Sequence, residues 1–336
     1  MSLIVFDLEW NIGYQPRTFM YHGVEQTLRG EIIQIGAVKV DRTGQVLDTF
    51  SIDLKPRIFR KLQHHIAKVT GFTQKQLDAG VPIKEGLARF VDWCGPDASF
   101  GEWGMDDVPV LKQNLFLCGM DESWPTVWYD LQQVFLAEHP RGEGEGMTLE
   151  SVITRLGIPM ERPFHDALSD ALYTVDVCQR LDLEKGLAQY PTEEEQLIQS
   201  ACPEGPEYKK VECFYGYLEK EAWREDEELH TLTCPWCGGS LETENAPKLH
   251  EAEEDRELWM RRGNNSYYGL CHCADCRKDV FVRYKLSRRD GLRWAVARVM
   301  EAPTAESREK WVKQKKRMAE RLQKKTQEKV TAAAEK

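Results

Sequence analysis

The chain has 336 residues, 41% hydrophobic and 30% charged, with a formal net charge of -10. That length holds one full domain plus one or two smaller ones, each with room for an apolar core. The acidic balance excludes a generally basic nucleic-acid binder; only residues 303–336 are basic overall, and an electrostatic contact with a polyanion would start there. No apolar run approaches the length of a membrane span. No basic n-region with an apolar stretch opens the chain, since Asp7 and Glu9 interrupt it. The expectation is a soluble, cytoplasmic protein that does not engage a membrane.

Ile4 to Trp10 reads as the first strand, a short run crowded with β-branched and aromatic residues. It carries Asp7 and Glu9. Side chains two apart on a strand leave the same face, so both carboxylates point one way. Unpaired carboxylates are costly to bury and two together repel, so a divalent metal between them is the simplest reading. Asn11 to Gly30 reads as a polar loop or hairpin excursion. Glu31 to Val40 and Val46 to Leu54 continue an antiparallel meander through the turn Asp41 to Gly44. Ile83 to Trp93 is helical by periodicity. Ala98 to Trp103 reads as a short strand leading into a helix over Asp107 to Cys118. Thr148 opens another helix, and a further one follows Asp166, its N-cap, to about Leu183. Strands first, then α/β alternation, predict a mixed sheet with helices on its faces.

Two more carboxylate motifs follow the first. Asp106 and Asp107 open the Asp107 helix, where one of the pair can cap backbone N–H groups and the other is free for metal. Asp107 keeps a four-residue step to Leu111 and is preferred over Asp106. Asp170 then lies one turn inside the helix capped by Asp166, with His165 just ahead of it in a loop where it can move.

With these residues in order, the chain resembles the DEDDh 3′–5′ exonucleases. The carrying motifs are Asp7-Leu8-Glu9, Asp107 with Leu111, and His165-Asp166-Ala167-Leu168-Ser169-Asp170, supported by Ile66 to Thr73. The resemblance covers about residues 2–182. It lies nearer the RNA 3′-end-trimming branch, on the Trp103-Gly104 motif and on Trp10 following Glu9. It implies an α/β, ribonuclease H-like mixed sheet, antiparallel meander plus parallel strands, with helices on both faces. It also implies hydrolysis of single-stranded nucleic acid from a free 3′ end, RNA favoured over DNA, releasing nucleoside 5′-monophosphates. Two Mg²⁺ or Mn²⁺ ions are implied, held by Asp7, Glu9, Asp107 and Asp170, with His165 as general base. The alternative is a non-catalytic nucleic-acid- or protein-binding regulator on the same fold.

Leu8 and Trp10 flank the carboxylates. A base could stack on Trp10, but strand alternation turns both residues toward the core. Arg57, Arg60, Lys61, His64, His65 and Lys68 form a basic run that either tracks phosphates or is a solvated face.

Ten cysteines are present, five of them grouped as Cys234, Cys237, Cys271, Cys273 and Cys276. Cys234/Cys237 and Cys273/Cys276 form two C-x-x-C knuckles, which suit one structural Zn²⁺ in a reducing compartment, with Cys271 as a spare. Arg283 and Tyr284, in the strand after the second knuckle, are candidate nucleic-acid contacts. The expected organisation is an exonuclease domain over 1–186 and an acidic, partly helical linker over 187–230. A small zinc-ribbon-like domain over 231–302 and a basic helical or disordered tail over 303–336 complete it.

Overall fold

The structure is a computed structural model. It describes residues 2–142, 146–202, 208–242, 260–261, 265–288, 290–313, 316–317 and 320. The chain divides into two compact units, residues 1–190 with 289–292 and residues 191–288 with 293–336.

The first unit begins with β1 (Leu3–Asn11), a hairpin of β2 (Thr18–Tyr21) and β3 (Val24–Thr27), β4 (Glu31–Val40) and β5 (Val46–Lys55). Helices α1 (His64–Thr70) and α2 (Gln74–Ala79), the two-residue strand β6 (Val81–Pro82) and α3 (Ile83–Cys94) follow. Next come β7 (Ser99–Glu102), α4 (Asp107–Leu117), β8 (Trp128–Asp130) and α5 (Leu131–Glu138). Three helices close the unit: α6 (Leu149–Leu156), α7 (Ala167–Cys178) and α8 (Leu183–Ala188).

Its main sheet runs β6-β5-β4-β1-β7-β8. β1, β4 and β5 are the antiparallel meander, while β7 and β8 run parallel to β1. This is the ribonuclease H-like mixed sheet. Its core follows from the period-two alternation of β1. Ile4, Phe6 and Leu8 pack into a cluster with Leu87 and Phe90 of α3 and with Val108 and Leu111 of α4. Leu3 and Val5 face the other way, against Val134 of α5, Ala171 and Val175 of α7, and Leu183 of α8. Each fully buried side chain of this size contributes about 1.5–3 kcal/mol, enough to fix the register of β1. A one-residue slip would send Asp7 into the first cluster and Phe6 out of it.

The helix expected to run from Asp166 to Leu183 ends instead at Cys178. Asp182 accepts a hydrogen bond from Lys185 N–H and starts a separate helix, α8.

The second unit opens with α9 (Glu193–Ala201), whose capping box pairs Thr192 with Glu195. β9 (Tyr208–Tyr217), a 3₁₀ turn (Ala222–Glu225) and α10 (Glu227–His230) follow. Strands β10 (Leu241–Glu242), β11 (Met260–Arg261), β12 (Ser266–Cys273), β13 (Asp279–Ser287) and β14 (Trp294–Glu301) complete it. The sheet order is β10-β12-β13-β14-β9, with β11 on β12.

This corrects the reading of 187–230 as a linker. β9 pairs along its length with β14. Val211 and Cys213 pack toward Leu197 and Ala201 of α9, and Phe214 and Tyr217 toward the opposite cluster. The interleaved charges hid a strand that is apolar on both faces. Residues 305–313 are helical, and Trp311 is buried against Tyr268 and Phe281. Residues 321–336 lie outside the described residues.

Candidate active site

β1 pairs with β7 only over Leu3 to Val5. Asp7 and Glu9 therefore lie beyond the carboxyl end of the parallel pair, where ligands of α/β sheets gather. On the other edge they sit opposite Gly36 and Gln34 of β4. Both β4 residues bring α7 to the carboxylates. A Cβ on Gly36 would stand 2.0–2.4 Å from backbone atoms of Ala167 and Leu168, so only glycine lets the start of α7 lie on the strand. Gln34 Oε1 accepts from Ala167 N–H (2.8 Å), and its Nε2 donates to Asp166 Oδ1 (3.2 Å) and Asp53 Oδ1 (3.1 Å). Asp166 caps α7 through Ser169 N–H (3.1 Å).

Asp170, 8% exposed, thus reaches the strand. Ligand atoms of Glu9, His165 and Asp170 all lie within 4.8 Å of one another. Asp170 Oδ2 accepts the backbone N–H of His165 (2.9 Å), while its buried Oδ1 has no hydrogen-bond partner among the described residues. His165 is exposed and holds a left-handed backbone, φ 61°. Its imidazole makes no hydrogen bond among the described residues.

Asp107 arrives from the opposite side. It is buried at the first turn of α4, where the nearby backbone N–H of Leu8 favours its charged form. That N–H belongs to the stretch of β1 past its pairing with β7. Asp106 is 80% exposed at its side chain and pairs with Arg29 at 3.2 Å. Neither aspartate caps the helix, which corrects the capping expectation. The cap is Glu102, a fully buried residue at the end of β7. Its Oε2 accepts from Asp107 N–H (2.8 Å) and Val108 N–H (3.4 Å). Sequence reasoning passed over Glu102; an acid ending the short strand Ser99–Glu102, five residues before Asp107, was the available signal.

The electrostatics show how crowded these acids are. Burial first, then repulsion from Asp107, Asp170, Glu9 and Glu102, pushes the Asp7 carboxyl well above the carboxylate range. Burial also raises Asp107 despite the Leu8 N–H. Glu9 is pushed up to about 7 by burial, Asp170 and Asp166. Asp170 is pushed up to about 6 by burial, against the opposing His165 N–H. An all-oxygen set with an orphaned buried acceptor fits a hard divalent cation, whose charge would relieve the repulsion.

The second unit brings Cys234, Cys237, Cys273 and Cys276 together. Sγ of Cys234 lies 3.6 Å from that of Cys276, and Sγ of Cys237 lies 3.5 Å from that of Cys273. Tetrahedral zinc with Zn–S of about 2.3 Å separates its sulfurs by about 3.8 Å, so the four thiols fit Zn²⁺. Burial opposes it, but the N–H groups of Trp236 and Cys237 draw the Cys234 thiol down to about 7, toward the thiolate a metal needs. Cys271 is outside this group. It is buried in the sheet opposite Val280, and burial pushes it up to about 12.

The expected substrate contacts fare differently. Leu8 is buried and Trp10 packs on the same core cluster, as strand alternation required. Arg283 pairs with Glu301 at 3.1 Å, and Tyr284 is fully buried beside Trp223, its ring 5.0 Å away. Tyr284 is therefore no surface contact, because its strand faces a core on that side. Arg57, Arg60, Lys61, His64, His65 and Lys68 are all exposed. The loop presenting the first three is fixed by Glu31, which accepts from Arg57 and Ile58 N–H, and by Asn11, which donates to the carbonyls of Phe59 and Lys61.

A family model described as Exonuclease (RNase_T) matches residues 4–178. A DNA polymerase III of PolC type from Clostridium perfringens is 29% identical over 174 residues, 52% of this chain and 11% of that protein. A probable 3′–5′ exonuclease, KapD, from Bacillus subtilis is 33% identical over 119 residues, 34% of this chain and 52% of that protein. The chain thus spans about half the length of one of these relatives and about a tenth of the other. Among solved structures, a 3′-exonuclease described for 3′-end recognition of histone mRNA stem-loop aligns with TM-score 0.46 and 19% identity, over 55% of this chain and 64% of that one. Escherichia coli exonuclease I with a dT13 oligonucleotide aligns with TM-score 0.42 and 18% identity, over 53% and 40%.

Proposed function

The chain belongs to the RNase T exonuclease family, in its DEDDh branch, and from that premise we propose that it removes nucleotides one by one from the free 3′ end of single-stranded nucleic acid. RNA is the preferred polymer and nucleoside 5′-monophosphates are the products. The observation that carries this reading is the convergence of three distant segments on one spot. β1 supplies Glu9, and α7 with its leading loop supplies His165 and Asp170, around an acceptor left unpartnered at Asp170 Oδ1. Asp7 on β1 and Asp107 on α4 stand near enough to these acids that mutual repulsion raises their carboxyls.

In this reading Asp7, Glu9, Asp107 and Asp170 would hold two Mg²⁺ or Mn²⁺ ions. When bound, such ions supply Lewis-acid stabilisation of the phosphodiester and of the departing oxygen. His165, exposed and with its ring free of hydrogen bonds among the described residues, takes the proton from the attacking water. Asp170 fixes the His165 backbone while keeping Oδ1 for a cation. The exposed basic run from Arg57 to Lys68 gives the phosphate backbone a path on an anchored loop. Trp103-Gly104 and Trp10 after Glu9 support RNA over DNA.

Cys234, Cys237, Cys273 and Cys276 would hold one structural Zn²⁺, joining the turn ahead of β10 to the β12–β13 hairpin. No helix among the described residues is long and apolar enough to cross a membrane. The reduced thiol set supports a cytoplasmic setting.

The test is digestion of matched single-stranded RNA and DNA in Mg²⁺, Mn²⁺ and EDTA, with products resolved by chromatography. Mononucleotides released faster from RNA, and none in EDTA, support the reading. Tight binding without release would replace it with a non-catalytic binder.

A further inference from the structure

Resting on the reading of His165 as general base, we infer that Tyr173 is a positioning residue that sets the place of the His165 imidazole. Tyr173 lies on α7 three residues after Asp170, hence nearly one turn on, and is fully buried. Its hydroxyl makes two hydrogen bonds to a single residue of the loop ahead of the helix. It accepts from Arg162 N–H at 2.8 Å and donates to the Arg162 carbonyl at 2.8 Å. Two side chains of the loop segment engage its ring as well. Phe164 stacks on it, with centroids 4.8 Å apart and planes at 16°, and the Arg162 guanidinium lies 4.2 Å from the ring centroid. Arg162 also pairs with Asp176, further along α7.

The segment leading to His165 is therefore fixed to one helix at two points. Arg162 is held by Tyr173, and the His165 N–H is held by Asp170. Between them the chain is forced into the left-handed turn at His165, a conformation that a non-glycine residue keeps only when its surroundings over-determine it. Because Tyr173 and Asp170 share a rigid helix, the clamp fixes the imidazole relative to Asp170 and Glu9. The loop expected from the sequence to move freely is pinned at its root. Among the described residues the hydroxyl and ring of Tyr173 engage Arg162 and Phe164 and make no hydrogen bond to the carboxylates or the imidazole, so its influence on the reaction passes through the segment that carries His165.

Replacing Tyr173 with Phe keeps the ring and removes the hydroxyl. Both polar groups of Arg162 then lose their buried partner, and His165 is free to leave the left-handed turn. A misplacement of about 1 Å in a reacting group costs about a hundredfold in rate. The expected result is a fall in kcat of about ten- to a hundredfold, with KM for a short oligonucleotide unchanged.

The experiment is a kinetic double-mutant cycle with Tyr173→Phe, His165→Ala and the double variant, below the melting temperature of each. A clamp that acts through His165 predicts that Tyr173→Phe slows the wild type and leaves the residual rate of His165→Ala untouched. A further fall in the His165→Ala background by the same factor would make Tyr173 a general structural residue and overturn the inference. A wild-type kcat for Tyr173→Phe, with His165→Ala inactive, would overturn the clamp and leave the general base standing. Full activity of His165→Ala would overturn the general-base reading and the clamp with it. Should Tyr173→Phe fail to fold, Phe164→Leu takes its place in the cycle with the same expectations, since it loosens the same segment and orphans no buried polar group.

Discussion

Replacing Glu9 with Gln should stabilise the cation-free protein, and the gain should grow with pH. In the folded chain the Glu9 carboxyl is raised from its ordinary 4.5 to about 7 by burial and by Asp170 and Asp166. A raised folded-state value means that stability is fully present below pH 4.5 and is lost as pH climbs through 7. The shift corresponds to about 3 kcal/mol at pH 8, at about 1.4 kcal/mol per unit. Glu9 is half-buried, so solvent screening on its open side makes that figure a ceiling. At pH 5 the same linkage leaves a difference of under about 1 kcal/mol. The assay is urea unfolding of wild type and Glu9→Gln, both freed of Mg²⁺ and Mn²⁺ with zinc retained, between pH 5 and 8. Reading the difference between the two proteins cancels the titrating groups remote from Glu9, while relief of the neighbouring Asp7 and Asp107 adds to the variant's gain in the same direction. Adding Mn²⁺ should reverse the order, because the wild type regains a cation across its carboxylates. A variant whose advantage stays flat or shrinks from pH 5 to 8 would refute the account of these acids as a crowded, cation-seeking cluster.

Other outcomes follow from the same geometry. Gly36→Ala should destabilise the first unit by about 1–3 kcal/mol and cut nuclease activity, because its Cβ collides with Ala167 and Leu168; urea melts and a digestion rate check both. His165→Ala should lower kcat by about 10²–10⁴ while Mn²⁺ binding, followed calorimetrically, persists. Cys237→Ser should release the zinc and lower the melting temperature of the second unit, whereas Cys271→Ser should keep one zinc per chain by metal analysis.

The candidate-site carboxylates are legible in the chain because each sits in a local context that makes it conspicuous. Asp7 and Glu9 interrupt an apolar strand, and Asp170 lies one turn beyond a capping Asp166. Asp107 outranked Asp106 by its step to Leu111, and in the structure it is Asp107 that is buried against Leu8 N–H. What escaped reading depends on contacts far apart in sequence. Gly36 and Gln34 dock α7 more than 130 residues away, and nothing in their own neighbourhood marks them. Glu102 hid because a capping acid usually sits on the helix it caps, not on the preceding strand. β9 reads as a linker because Lys209, Lys210 and Glu212 interrupt the apolar residues of a half-buried strand. Tyr284 was placed on a surface because basic and aromatic residues alternate around it, yet alternation assigns two faces without saying which one is buried.

The central claim is tested most directly by the direction and chemical dependence of cleavage. A 5′-labelled single-stranded RNA is digested with wild type and with Asp7→Asn, alongside the same RNA blocked at its 3′ hydroxyl. The account predicts a ladder that shortens stepwise from the 3′ end, needs Mg²⁺ or Mn²⁺, stops at the blocked terminus and vanishes in Asp7→Asn while that variant stays folded. Internal cuts on the blocked RNA, or undiminished digestion by Asp7→Asn, would contradict it.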